Sequence, residues 1–278
     1  MIKIIEKYKL GPGMNFALLD APLIAESAEP GQFVIVTIDE KSERIPLTIA
    51  DFDRENKTIS IVFQEMGKGT HRLANMQAGD FLYGVLGPQG NPSVIHENKD
   101  VIIIGGGIGI APVFPIARKL TAHGNRVTSI IGYRNKDYVF WEDKMNAVSS
   151  SLLIATNDGS YGEKGFVTDL LKKEIESGKN IDEVIAIGPP IMMKAVSDMT
   201  REHSIKTIVS LNSLMVCGMG MCGACRVTVN NEIKFTCMDG PEFDAHQVDF
   251  NELMQRLGTY KNDEQKCFED WQEENNGC

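Results

Sequence analysis

Val101-Ile102-Ile103-Ile104-Gly105-Gly106-Gly107-Ile108-Gly109-Ile110-Ala111-Pro112 is the stretch on which the architecture turns. Four consecutive β-branched residues read as a strand with no polar face, of the kind buried on both sides in a parallel sheet. The glycines behind it allow a tight turn and a close backbone approach. A helix is expected just beyond, from Val113 to His123, so its N-terminus would face whatever the turn holds. That context suits a phosphate-binding loop. Taken alone it suits a plain tight turn equally well. Pro112 departs from the G-x-G-x-x-G pattern and disfavours the usual Rossmann dehydrogenase.

Outward from this loop the pattern repeats. Strands are expected at Arg126 to Gly132, Ser151 to Ala155 and Glu183 to Ile187, and helices at Phe166 to Ser177 and Ile191 to His203. Alternating strands and helices imply a parallel α/β sheet, assigned to residues 99–210. Upstream, residues 1–98 carry short β-type runs such as Phe33 to Thr37, Thr58 to Phe63 and Phe81 to Leu86. Gly11-Pro12-Gly13, Pro30-Gly31 and Gly87-Pro88-Gln89-Gly90 punctuate them. Many short strands without a helical period suggest an antiparallel β barrel.

Downstream lie four of the six cysteines, spaced Cys217-x4-Cys222-x2-Cys225-x11-Cys237. This is the plant-type [2Fe–2S] arrangement, C-x4-C-x2-C followed by a distant fourth thiolate. Gly218, Gly220, Gly223 and Ala224 allow a loop to wrap closely around a cluster. Arg226 to Phe235 reads as a hairpin with an Asn230-Asn231 turn that returns Cys237 to the loop. A zinc site or free thiols are the alternatives, but zinc sites favour paired C-x2-C knuckles and here one pair alone has that spacing. The iron–sulfur module is assigned to residues 211–248. The tail, 249–278, is acidic with sparse apolar residues. Cys267, Phe268, Trp271 and Cys278 in it read either as a contact for a partner or as a frayed terminus.

Two further segments gain meaning only from context. Gly67-Lys68-Gly69-Thr70 is a small polar loop whose amides, hydroxyl and ammonium could hold a pyrophosphate, or a surface turn. Arg44-Ile45-Pro46-Leu47-Thr48-Ile49 offers a cation and a hydroxyl on an apolar strand.

The bulk composition excludes some classes. With 38 acidic against 28 basic side chains and a net charge of −10, the chain lacks the basic face that nucleic-acid binding requires. No apolar run approaches the roughly 20 residues of a membrane span. The N-terminus, Met1 to Leu10, reads as a strand and not as a signal peptide. A cytoplasmic location is expected.

In order, these pieces resemble the ferredoxin–NADP reductase superfamily, in which an FAD-binding barrel precedes a nucleotide-binding α/β domain. The resemblance implies that Arg44 meets the flavin phosphate and that Pro46, Leu47 and Thr48 lie near the reactive ring. It implies that Gly67, Lys68, Gly69 and Thr70 hold the FAD pyrophosphate. Gly107, Gly109 and Pro112 match the family's G-x-G-x-x-P loop for the nicotinamide nucleotide. Asp158, in Thr156-x-Asp158-Gly159-Ser160-x-Gly162, and Gly188, Pro189 and Met192 look like its later nucleotide-side loops. The family's C-G-P has Ile187 where the cysteine would stand.

The added C-terminal module resembles two subfamilies. One is the electron-transfer subunit of NAD-dependent dihydroorotate dehydrogenase. The other is the small subunit of NADH-dependent ferredoxin:NADP oxidoreductase, sulfide dehydrogenase-like. Met221 to Val229, Cys237 to His246 and Val248 to Leu253 look more like the second. Cys217 departs from it, since its members often carry Asp as the first cluster ligand.

The function this implies is an electron-transfer subunit moving electrons between NAD(H), FAD and a [2Fe–2S] cluster. A flavin is the natural converter between paired and single electrons. The implied partner is a large subunit with its own flavin and [4Fe–4S] centres, through which ferredoxin is served by electron bifurcation. The alternatives are the dihydroorotate dehydrogenase subunit and a redox sensor or zinc scaffold. Arg134 with Lys136 would favour NADP, whereas Asp137 and Glu142 would suit the free ribose of NAD; the resemblance tips the balance to NAD(H). No acid–base residue is nominated, and His71, His96, His123, His203 and His246 read as structural or solvated.

Overall fold

A computed structural model describes residues 1–276; Cys278 lies outside the described residues. The N-terminal unit is one seven-stranded antiparallel sheet with two short helices. Its elements are β1 (Ile2–Gly11), β2 (Met14–Asp20), α1 (Pro22–Ser27), β3 (Phe33–Thr37), β4 (Ile45–Asp53), β5 (Thr58–Gln64), α2 (Lys68–Asn75), β6 (Phe81–Leu82) and β7 (Gly84–Gln89). The strand order is β6-β1-β2-β5-β4-β3-β7. Only Tyr83 separates β6 and β7, which form opposite edges of that order, so the sheet curls into a nearly closed barrel.

Phe81 to Leu86, expected as one strand, is therefore two. Phe81 and Leu82 pair with β1, while Gly84, Val85 and Leu86 pair with β3. Ile4, Leu19, Val34, Val36, Ile49, Ile61, Phe63 and Leu82 fill the interior. The GKGT segment, expected as a loop, opens α2. Thr70 Oγ1 accepts from the amides of Met66 and Gly67 at 2.9 and 3.1 Å and so satisfies the helix start.

The second sheet runs β8 (Asp100–Gly106), β9 (Arg126–Tyr133), β10 (Ser151–Thr156), β11 (Glu163–Lys164), β12 (Glu183–Ile187) and β13 (Thr207–Ser210), all parallel. The helices α3 (Ile110–Ala122), α4 (Glu142–Ala147), α5 (Val167–Glu176) and α6 (Pro190–Glu202) cover its faces. The helix α3 starts three residues before the expected Val113. Pro112 falls in its first turn, where the missing N–H has no intrahelical partner to lose.

The last part comprises β14 (Arg226–Val229), β15 (Glu232–Phe235), β16 (Glu242–Asp244), α7 (Phe250–Leu257) and α8 (Lys261–Asn276). The strand β16 joins β13 antiparallel and completes the nucleotide sheet, which anchors the cysteine module to it. At the hairpin tip, Asn230 and Asn231 take φ of 52° and 60°, the left-handed pair that matches the twist of a tight hairpin. Barrel and sheet share a core: Met14, Phe16, Ala50 and Val62 pack with Ile103, Ile110, Ala111 and Phe114. At its rim Arg118 pairs with Asp51 at 2.7 Å and stacks over Phe52 and Phe114. No helix among the described residues is long and apolar enough to cross a membrane.

Candidate cofactor sites

The cysteine loop lies against the outer face of β3. Cys217, Cys225 and Cys237 are buried and Cys222 is exposed. Gly218, Gly220 and Gly223 adopt φ of 71°, 79° and 68°, left-handed conformations that an L side chain resists. A Cβ at Gly218 would stand 2.4 Å from Ile35 Cδ1, so any side chain there would have to displace Ile35 as well as strain the left-handed backbone. Cys225 and Cys237, 3.2 Å apart, pack with Phe33 and Ile35.

The sulfurs come in two pairs, Cys217 with Cys222 and Cys225 with Cys237. Backbone amides aim at them. Met219 and Cys222 donate to Cys217 Sγ at 3.5 and 3.4 Å, Gly220 to Cys237 Sγ at 3.2 Å, and Ala224 to Cys222 Sγ at 3.4 Å. The Met219 amide, helped by that of Cys222, lowers the Cys217 thiol to about 6. Burial, then the shared hydrogen bond with Cys225, pushes Cys237 up to about 12. Among the described residues no three Cys, His, Asp or Glu side chains gather as a group for one ion. Two sulfur pairs wrapped in donor amides fit a two-iron cluster, whose anionic sulfurs such amides stabilise.

The nucleotide-side residues meet at the carboxyl ends of β8, β9, β10 and β12, the crevice where open α/β sheets bind ligands. Gly109 lies so close to β12 that an added Cβ would stand 2.2 Å from Ile187 O. Gly107 has φ +56° and open space at its Cβ position. Met192 Sδ fills the position of a Gly106 Cβ and its methyl that of Gly188, so the first glycine loop and the Gly188-Pro189 turn interlock. Arg134 follows β9 and is exposed. Asp158 follows β10, where its carboxylate accepts from Ser160 N and Oγ at 2.9 and 2.6 Å; the Ser160 hydroxyl first, then its amide, hold that carboxyl below its ordinary range. Lys136 N donates to Ser160 Oγ at 2.8 Å and ties these two loops together.

On the barrel, Arg44 is exposed just ahead of β4 and Pro46, Leu47 and Thr48 are half-buried. Strand alternation puts Pro46 and Thr48 on the face opposite Ile45 and Ile49, which are in the barrel interior. Leu47 points inward with them. The cross-strand partners of Pro46 and Thr48 are Ile35 and Phe33, the residues that carry the buried cysteines. The glycine at 69 has a Cβ position 2.6 Å from Glu43 Oε2. A side chain at 69 would therefore collide with Glu43, whereas glycine leaves the first amides of α2 open, and a helix N-terminus favours an anion such as a pyrophosphate.

Sequence reasoning missed several residues at these sites. In the sequence Phe33 and Ile35 mark a strand and nothing more, since pairing register is invisible before the sheet is known. Ser93 Oγ donates to Glu242 Oε1 at 2.5 Å across the junction of barrel, nucleotide sheet and cysteine module. Burial, joined by the nearby Glu183 charge, raises the Glu242 carboxyl to about 7. The tail packs within the chain: α7 adds Phe250 and Leu253 to the core under the nucleotide sheet, and α8 lies on α2. Elsewhere, a cavity of about 220 Å³ opens at the opposite end of the sheet beside Asp100 and Arg126, which pair with each other at 2.6 Å. It is remote from all three sites.

A barrel, a nucleotide sheet with its glycine loop and a four-cysteine loop on the barrel wall together define an iron–sulfur oxidoreductase of the ferredoxin-reductase fold. The chain matches the iron–sulfur cluster binding domain of dihydroorotate dehydrogenase B over residues 212–249 and the oxidoreductase NAD-binding domain over residues 103–198. It is 44% identical to a dihydroorotate dehydrogenase B (NAD(+)) electron transfer subunit homolog of Thermotoga maritima, over 96% of this chain and 94% of that one. It is 36% identical to the electron transfer subunit of Shouchella clausii, over 89% and 96%. A solved structure of an NADH-dependent reduced ferredoxin-NADP oxidoreductase, described for flavin-based electron bifurcation, superposes with a TM-score of 0.93 at 42% identity, covering 98% of both chains. A ferredoxin NADP+ reductase from Neisseria gonorrhoeae with bound FAD and NADP shares the fold, with a TM-score of 0.62 at 19% identity over 72% of this chain and 89% of that one. The chain belongs to the family of dihydroorotate dehydrogenase B electron transfer subunits and their homologues. It is an electron-transfer subunit related to both groups that the sequence resembles, and the matched domains on this fold support FAD, a [2Fe–2S] cluster and NAD(H) as its cofactors.

Proposed function

We propose that this chain is the NAD(H)-side electron-transfer subunit of a flavin-based electron-bifurcating NADH-dependent ferredoxin:NADP oxidoreductase. The observation that carries the reading is the shared face of β3 and β4. Thr48 and Pro46 stand directly across from Phe33 and Ile35, which pack on Cys225 and Cys237. Paired strands lie about 4.8 Å apart, so a flavin edge at Thr48 and a cluster at Cys225 would be near neighbours. The other end of β4 packs through Ala50 on α3, behind the glycine loop.

In this reading Gly107, Gly109 and Pro112 bind the pyrophosphate of NAD(H), with Arg134, Asp158, Gly188, Pro189 and Met192 lining the rest of its crevice. Arg44, Pro46 and Thr48 orient the flavin on the outer face of β4, Leu47 packs behind them in the barrel interior, and residues 67–70 hold the flavin's pyrophosphate. Cys217, Cys222, Cys225 and Cys237 ligate the cluster. When bound, the flavin supplies the exchange between hydride and single electrons. The protein's contribution is to stack the nicotinamide on it and to keep the relay short. The barrel, the nucleotide domain and the cluster module correspond to residues 1–98, 99–210 and 211–248, and the chain works in the cytoplasm with a large flavin and [4Fe–4S] subunit that serves ferredoxin.

The likeness to the bifurcating reductase over nearly the full chain favours this reading. The relatives of the dihydroorotate dehydrogenase group favour the second reading, a subunit passing electrons from dihydroorotate oxidation to NAD. Anaerobic native co-purification with mass spectrometry, a visible spectrum and iron counting separates the two. The first predicts a large subunit with its own [4Fe–4S] centres and NADPH-driven reduction of NAD coupled to ferredoxin reduction. Recovery of a partner that oxidises dihydroorotate, with no coupled ferredoxin reduction, would replace it with the second.

A further inference from the structure

The helix α8 lies beyond the residues that match the iron–sulfur domain and packs on the barrel's α2. Phe268 rests on the His71 ring with centroids 4.4 Å apart, and Trp271 stacks on Phe268 at 5.9 Å with 18° between planes. Between α8 and Lys68, the first residue of α2, is a cavity of about 330 Å³. Trp271 lines it, together with Lys68, Lys266, Asp263, Asp270 and Glu274.

We propose that this cavity is the adenosine subsite of the flavin nucleotide. The proposal rests on the reading of residues 67–70 as the pyrophosphate cradle and adds residues to it. Three carboxylates against two ammonium groups make the lining poor for a phosphate and good for a neutral group rich in donors. Adenosine is such a group: its ribose hydroxyls and exocyclic amine donate to carboxylates, and its base offers a face to an indole. The cavity begins at Lys68, beside the amides of the cradle, so a nucleoside joined to a pyrophosphate there has one short step to reach it. The His71–Phe268 contact fixes α8 over α2, and Trp271 one turn further on becomes the stacking surface. The tail would then act in cofactor retention and in choosing FAD over FMN.

The test uses the full chain, deflavinated and titrated with FAD and with FMN by flavin fluorescence. FMN carries the same ring and a phosphate but no adenosine. Trp271→Ala is expected to weaken FAD binding about tenfold, the scale of one lost base–aromatic stack, and Trp271→Phe by less. FMN affinity should be equal in all three proteins. FAD should also slow alkylation of Cys267, which is exposed and lines the same cavity, whereas FMN should not. Unchanged FAD affinity in Trp271→Ala, or equal losses for FAD and FMN, would overturn the adenosine subsite and leave the cradle reading intact. Failure of the unaltered chain to bind either flavin would instead remove the cradle reading itself.

Discussion

Cys237 shows how much a single position carries. It is buried, 3.2 Å from Cys225, and accepts from the Gly220 amide, so its side chain ties hairpin to loop. Cys237→Ser is expected to abolish iron and acid-labile sulfide in the anaerobically isolated chain while leaving its flavin content near that of the unaltered protein; retention of both irons would contradict the ligand set. Glu242 offers a pH prediction. Its carboxyl ordinarily titrates near 4.5 and in the fold near 7, so the folded state keeps a proton that the unfolded chain releases between those values. The stability that Glu242 contributes is therefore lost as pH rises from about 4.5 to about 7, with no further change from this group above. Glu242→Gln, which keeps an acceptor for Ser93, is expected to raise stability above pH 7 by up to about 3 kcal/mol, at ~1.4 kcal/mol per unit of displacement. The gain should vanish below about pH 5 in denaturant titrations. Gly109→Ala should cost about 1–3 kcal/mol in the same titrations and weaken NADH binding, because its Cβ would collide with Ile187 O.

At the scale of elements, alternation and aliphatic runs were readable and pairing was not. The strands at Phe33–Thr37 and Glu183–Ile187 have the expected bounds because each is a continuous apolar run between turn residues. Phe81 to Leu86 reads as one run yet serves both edges of the barrel, a division imposed by closure and not by local propensity. The segment from Lys68 to Asn75 hid its helix behind Gly67 and Gly69, and only the Thr70 hydroxyl, bonded back to Met66 and Gly67, reveals the start. The hairpin of β14 and β15 is testable at its tip. Asn231→Gly should stabilise slightly and Asn231→Val should cost about 1–2 kcal/mol, since a β-branched residue resists the φ of 60° that the turn imposes. Equal stability of the two variants would show that the turn can rearrange.

Across the whole molecule, three large cores support the sheets, whereas the cysteine loop has a small cluster of Phe33, Ile35, Cys225 and Cys237. Chelation of iron is therefore expected to loosen residues 213–225 selectively. Hydrogen exchange should rise there and stay protected in β8, β9 and β12; global unfolding on iron loss would show instead that the cluster supports the whole fold. The sequence by itself carried the barrel-then-α/β pattern and the cysteine spacing, because periodicity, glycine spacing and cysteine spacing are local properties that a short segment carries in full; the ferredoxin-reductase order of the pieces came from the family resemblance. Tertiary structure alone decided which pieces meet: β16 closing the nucleotide sheet, Ile35 and Phe33 joining Thr48 to the cysteines, and α8 lying over α2. Such meetings depend on register and on the burial of faces far apart in the chain, where each surface acquires its meaning from the one packed against it.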